Sequence, residues 1–329
     1  MNQENTTQFN TPVLLIGFNR PDTTQKVFDQ VAKIKPKQLF MFVDGPRVTR
    51  LGEDKQCEEV RNIIKQVDWD CEVKTLFLKE NAGIRGVMSG PDQALNWFFE
   101  NVEKGIILED DCIANKSFFY FCQEIINTFN TGVETVEENK IMMVSGNNFQ
   151  GGKKRGDASY YFSIYPNTWG WATWKKSWKL QNFDIKDLQK FKDENKIAQY
   201  FRDEKTQQYW LDIFNKMSGG KTDTWDYRWL FAMWNNGGLS VVPNKNLISN
   251  IGFDNRATHT KNADPKISNL KTEELEFPIQ HPIVQQVDRE ADLHIFQTIF
   301  MRKRSFFWKV SNKIRKWVRI LQKSLKKAK

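Results

Sequence analysis

The sequence predicts an α/β protein built on a mostly parallel sheet flanked by helices. Three observations carry that expectation. Short apolar runs alternate with amphipathic helical stretches over the first 110 residues. Buried strands of such a sheet look continuously apolar. The fourth run ends in a cluster of carboxylates, at the strand end where ligands bind in such sheets.

Taken in order, "VLLIGF" (13 to 18) precedes a helical stretch from about Pro21, and "QLFMFVD" (38 to 44) precedes one from Asp54 to Val67. "EVKTLFL" (72 to 78) precedes a helix from Val87 to Val102, after which "GIIL" enters the acidic cluster. Beyond it, "KSFFYFCQEIINTF" (116 to 129) carries a helical apolar stripe, and "KIMMVSG" and "YYFSIY" read as further strands. Thr168 to Trp234 is Trp-rich and expected to be largely helical; "GGLSVVP" is a short strand, and 244 to 300 is polar with few signals.

A chain of 329 residues with 40% hydrophobic content can bury a sizeable core, which excludes a disordered chain. Cys57, Cys71, Cys112 and Cys122 form no CxxC pair, so neither a zinc knuckle nor a disulfide framework is indicated. The N-terminus "MNQENTTQFNTP" has no signal-type apolar stretch, and no window approaches the ~18 apolar residues of a spanning helix. A cytosolic location is therefore expected. The net charge of +9 is concentrated: residues 302 to 329 hold twelve Lys or Arg and no acid, which leaves −3 on the preceding 301 residues.

The acidic cluster, Glu109-Asp110-Asp111 in "GIILEDDCI", needs a partner, because gathered carboxylates repel unless a cation or proton neutralises them. A positive partner absent from the sequence is expected. Capping the helix near Lys116 accounts for one carboxylate and poorly for three. An oxygen-ligand cation, Mn2+ or Mg2+, accounts for them better, since it takes one or two carboxylates and fills its shell with water and phosphate oxygens.

Around the cluster stand "GFNRP" after the first strand, "VDGP" after the second, "ANKSFFYFCQE", "IMMVSGNN", "YPNTWGWATW" and "WDYRW". With these motifs, in this order over about residues 12 to 262, the chain resembles nucleotide-sugar glycosyltransferases of the GT-A fold. It is similar in particular to the N-acetylglucosaminyltransferase I branch and its bacterial relatives. The resemblance implies that Asp111 ligates the metal bridging the donor diphosphate, that Asp110 faces the ribose or sugar, and that Glu109 orients them. It implies nucleotide contacts for Arg20 and Asp44, although Asp44 could be a turn residue and Arg20 a loop charge. It matches Asp226 to the base that takes the acceptor's proton during inverting transfer, where the residues alone would favour an N-terminal helix charge. It matches His259 to a residue touching metal or diphosphate, where a lone His is more often a hydrogen-bonded or surface residue.

"ENAGIRG" (80 to 86) could offer backbone N–H groups and Arg85 to phosphate oxygens, or be a glycine turn opening a helix. Trp171, Trp174 and Trp178 fall at helical spacing, which favours core for Trp174 and Trp178. Trp169, Gly170 and Trp171 match the family's acceptor-side loop, with Gly170 able to admit a sugar close to the backbone.

The tail "SFFWKVSNKIRKWVRILQKSLKKAK" spaces Phe307, Val310, Ile314, Trp317, Val318, Leu321 and Leu325 by threes and fours, with cations on the other face. Such a C-terminal basic amphipathic helix suits an anionic membrane surface; no nucleic acid is expected, since the body carries no basic patch. The expected organisation is a catalytic domain over 1–265 (about 12–110 nucleotide-binding, 111–265 acceptor), a connecting segment over 266–300 and the tail over 301–329. The expected activity is metal-dependent, inverting transfer of a hexosyl or N-acetylhexosaminyl group from a nucleotide-diphosphate sugar, a UDP-sugar by family habit. The acceptor would be a glycan or lipid-linked hydroxyl in surface polysaccharide synthesis, at the inner face of the membrane. The alternatives are a sugar nucleotidyltransferase and a non-catalytic, membrane-recruited binding protein.

Overall fold

In the computed structural model, which describes residues 9–83, 89–129, 141–181, 185–219, 224–253 and 267–301, the first four apolar runs are parallel neighbours in one sheet. They form β1 (Val13–Gly17), β2 (Gln38–Val43), β3 (Glu72–Phe77) and β4 (Lys104–Glu109). The intervening stretches are α1 (Pro21–Ile34), α2 (Glu53–Asn62, continued by a 3-10 turn, Ile63–Gln66) and α3 (Gly90–Asn101). Pro21 suits the first turn of α1, where its missing N–H has no partner to lose, and Lys35 ends the helix in the left-handed region. Val27, Phe28 and Val31 of α1 are buried; removing each from water contributes about 1.5–3 kcal/mol.

The chain continues through β5 (Cys112–Ala114), α4 (Lys116–Thr128), β6 (Ile141–Ser145), β7 (Tyr160–Ser163) and β8 (Trp171–Trp174). Then come α5 (Lys175–Trp178), α6 (Leu188–Asp193), α7 (Ile197–Tyr200), α8 (Glu204–Ser218), α9 (Trp225–Asn235), β9 (Leu239–Pro243) and β10 (Ile248–Asn250). The eight-stranded sheet has the order β3-β2-β1-β4-β8-β6-β9-β7, with β8 and β7 running against the other six. The fold class is thus α/β with a mostly parallel central sheet flanked by helices, compatible with a Rossmann-like arrangement.

The region from Thr168 to Trp234 is largely helical, as expected, through five helices (α5 to α9), but its first segment departs from the helical spacing of its tryptophans. Trp171 and Trp174 lie in β8, antiparallel to both β4 and β6, and of the three tryptophans at that spacing Trp178 alone is helical. Both strand tryptophans are buried although they point to opposite faces, because this strand is covered on both sides. Two short strands also come together apart from the main sheet: β10 pairs antiparallel with β5, Asn250 opposite Cys112.

Register decides where the site lies. Ile16 pairs with Glu109, Gly17 with Val43, and Val43 with Phe77. The residues that follow β1, β2, β3 and β4 therefore leave the sheet at one edge.

The chain divides into two compact units, residues 1–289 and 290–329. In the first, residues 267–289 join the fold: Leu275 N–H donates to Ser117 Oγ at 2.9 Å, and Asp288 N–H to the Phe162 carbonyl at 2.9 Å. In the second, α10 (Arg289–Ile295) runs into a π-helical turn (Phe296–Phe300), with Thr298 Oγ1 donating to the His294 carbonyl at 2.6 Å. The basic tail lies outside the described residues. Among the described residues, no helix is long and apolar enough to cross a membrane.

Candidate functional site

At the shared strand edge lies a cavity of about 300 Å3. Its floor is the end of β4 with the turn after it, Glu109, Asp110 and Asp111; one wall is Phe18, Asn19 and Arg20 after β1, and another is Asp44 and Arg47 after β2. Asn81 and Gly83 follow β3, and Trp169, Trp225, Asn250, Gly252 and Phe253 also line it.

The positive partner of the acidic cluster is in the chain after all. Arg20 Nη2 bridges Asp110 Oδ1 and Asp111 Oδ2, the latter at 2.8 Å, and Arg20 Nε donates to Asp110 Oδ2 at 3.4 Å. Spacing hid the pair, because 90 positions separate Arg20 from Asp110 and only the parallel β1–β4 register joins them. Burial pulls the guanidinium's pKa down, but Asp110 and Asp111 outweigh it and hold the group above its ordinary value. One guanidinium does not neutralise three carboxylates. Burial first, then repulsion from Asp111, Asp110 and Asp226, pushes Glu109 up to about 8 despite Arg20. Burial likewise raises Asp110 to about 6; Arg20 opposes this and Asp111 adds to it.

These shifts predict a pH dependence. Glu109 ordinarily titrates at 4.5 and does so at about 8 when folded, so its protonated form contributes stability in full below pH 4.5. That stability is lost as pH rises through 8. Asp110 acts with the same sign between its ordinary 3.8 and about 6. With chelator present, the urea midpoint is expected to fall from about pH 5 to about pH 9, and Glu109→Gln to flatten the upper part of that fall.

The role of helix cap does not fall to the acidic trio. Asn115 Oδ1 accepts from Phe118 N–H at 3.0 Å and caps α4 itself. Asp111 is held from several sides: Asn250 Nδ2 lies 3.3 Å and Cys112 Sγ 3.4 Å from its Oδ1. A Cβ on Gly252 would fall 1.9 Å from its Oδ2, so the backbone there lies flush against the carboxylate.

Asp44 takes part in a turn and also lines the cavity. Its Oδ1 accepts from Gly45 N–H and Ala82 N–H, both at 2.8 Å, and its Oδ2 from Asn81 Nδ2 at 2.9 Å. It thereby ties the segment after β3 to the end of β2. Burial raises its pKa against those hydrogen bonds. Sequence reasoning missed the neighbouring group: Arg47 pairs with the buried Glu53, lies 5.2 Å from the Phe18 ring centroid, and shares Glu53 with Asn19 Nδ2 at 2.8 Å.

On the opposite wall, Trp169 meets Phe149 and Phe253 edge to face, at 5.4 and 5.6 Å between centroids. Of the other two acceptor-loop expectations, that for Trp171 needs correction. Trp171 is fully buried and presents no surface to a ligand; it stacks on Trp225 at 5.8 Å, and Trp225 is the ring that reaches the cavity. Gly170 has φ +63°, and a Cβ there would sit 2.4 Å from Ile248 Cδ1. Backbone geometry and packing against Ile248 each account for a glycine at this position.

Asp226 lies half-buried in the first turn of α9, beside Trp225. It is not part of the cavity lining, yet its charge reaches Glu109 and raises that group's pKa. The turn is anchored by Arg228, whose Nη2 meets Asp92 Oδ2 at 2.7 Å with both side chains almost wholly buried. Asp92 in turn accepts from Ser89 N–H at 3.2 Å at the start of α3. Arg85 and His259 lie outside the described residues.

The donor set partly fits a divalent cation. Carboxylate oxygens of Asp110 and Asp111 line the cavity, and the cluster carries more negative than positive charge. It is not a protein cage: among the described residues, no group of three His, Cys, Asp or Glu is arranged to hold an ion. Asp111, with Asp110, would hold Mn2+ or Mg2+ by few protein oxygens, leaving the rest of the shell to water and phosphate, as these ions prefer. No protein-family model and no curated protein matches the chain.

Proposed function

We propose that the chain is a metal-dependent, inverting glycosyltransferase of the GT-A type, acting on a nucleotide-diphosphate sugar. The observation that carries this reading is the convergence of Arg20, Asp44, Glu109, Asp110 and Asp111 in one cavity at the carboxyl edge of parallel strands. That edge is where nucleotides bind in open α/β sheets. The volume of about 300 Å3 is at the lower end of what a small-molecule site needs.

When bound, the cation would supply charge neutralisation for the departing diphosphate. Among the described residues, Arg20 and Arg47 on the cavity wall are the cations placed to meet phosphate oxygens. Glu109, at the end of β4, lies beside Asp110 and Asp111 in the cavity floor. Trp169, Trp225 and Phe253 form an aromatic wall against which an acceptor sugar can lie. Asp226, one residue from that wall, accepts the proton of the attacking hydroxyl. Association with an anionic membrane surface through the basic tail, and a glycan or lipid-linked acceptor, belong to the same proposal.

A thermal-shift screen of nucleotide sugars with and without Mn2+ tests it. A raised Tm is expected only when cation and nucleotide sugar are both present. Turnover should liberate nucleoside diphosphate; liberation of pyrophosphate instead would identify a nucleotidyltransferase.

A further inference from the structure

We propose that Arg20 is the resident counter-ion of the acidic cluster, holding the place that a divalent cation takes on loading, and that it swings from Asp111 to the donor's diphosphate as the cation binds. The proposal rests on the reading of the cavity as a metal and diphosphate site, and adds to it an order of events.

Asp111 faces the cavity with 13% of its side-chain surface exposed, and the chain already engages both of its oxygens. Its Oδ1 is faced by Asn250 Nδ2 and Cys112 Sγ, and its Oδ2 by Arg20 Nη2 at 2.8 Å, with the Gly252 backbone flush beside it. A cation that binds Asp111 through Oδ2 must compete with a group already there. Asn250 is fixed, because its Oδ1 accepts from Gly252 N–H at 2.8 Å and its backbone belongs to β10. Cys112 is buried in β5. Arg20 differs: its stem is long, it lines the cavity, and its side chain keeps 15% of its exposure.

A guanidinium and a divalent cation repel each other when they share one oxygen. Displaced alone, Arg20 would leave two carboxylates for no anion; displaced in the presence of a diphosphate, it gains phosphate oxygens suited to its planar fork. Cation and nucleotide therefore load with mutual enhancement, and by linkage each must raise the other's affinity by the same factor.

The experiment is Mn2+ binding to the full chain, by calorimetry or by the paramagnetic resonance of free Mn2+, with and without UDP. Wild type is expected to bind Mn2+ weakly alone and roughly tenfold or more tightly with UDP. Arg20→Met should bind Mn2+ alone roughly tenfold more tightly than wild type and gain little further from UDP. Arg20→Lys, which keeps the charge without the fork, should fall between them, and decides the matter with the same sign if the methionine variant does not fold. Should Mn2+ binding depend on Asp111 yet be no tighter in the Arg20 variants, the counter-ion proposal is overturned and the metal site stands. Should no protein show Mn2+ binding that Asp111→Asn removes, both readings fall together.

Discussion

Asp111→Asn is expected to remove cation-dependent turnover, lowering kcat by about 10³-fold or more, while the protein stays folded. The substitution keeps the size of the side chain and, with its amide oxygen at the Oδ1 position, the acceptor for Asn250, while its NH2 replaces the oxygen that accepted from Arg20. It deletes one charge, and with it the oxygen ligand on which the proposed cation depends. Neutralising a leaving diphosphate is worth several kcal/mol, and each 1.36 kcal/mol is tenfold in rate. Stability changes in two opposing ways. The ion pair with Arg20 at 2.8 Å is lost, whereas Glu109 and Asp110 are relieved of a repulsive neighbour. The Tm should therefore move little, and the rise in Tm produced by Mn2+ with nucleotide sugar should disappear. Retained cation-dependent turnover in this variant would sink the assignment of Asp111.

Asp226→Asn is expected to lower kcat by about 10²–10⁴-fold, the usual contribution of a general base, with donor affinity unchanged. The separation follows from position: the donor-side groups lie around β1, β2 and β4, whereas Asp226 sits on α9 beyond Trp225. Loss of kcat with KM for the donor preserved is the signature of an interaction made in the transition state alone. A second readout needs no turnover. Asp226 is one of the charges that raise Glu109, so its neutralisation should move the Glu109 titration below about 8. If donor binding fails instead, or kcat does not change, Asp226 is not the base.

Much of the fold was legible because its signals are local. Three largely apolar runs and the alternating run of the edge strand β3 marked the parallel half of the sheet, and Pro21 marked the start of α1. The WATW segment misled for a physical reason: a central strand covered on both faces buries Trp171 and Trp174 together, so the alternation that marks a half-exposed strand is missing. Gly170 was likewise hard to read. Its need for positive φ and for space beside Ile248 depends on β10, a strand that the polar stretch after residue 244 did not announce.

The sequence by itself determined the class of the sheet and the acidic cluster at the end of β4, because hydrophobic runs and neighbouring charges are properties of adjacent residues. Only the tertiary structure decided what surrounds that cluster. Arg20 comes from 90 positions away through parallel pairing, and Asn250 from 139 through the antiparallel β5–β10 pair. Strand register sets those meetings; it is fixed by the packing of whole faces, so it leaves no mark at the residues it brings into contact.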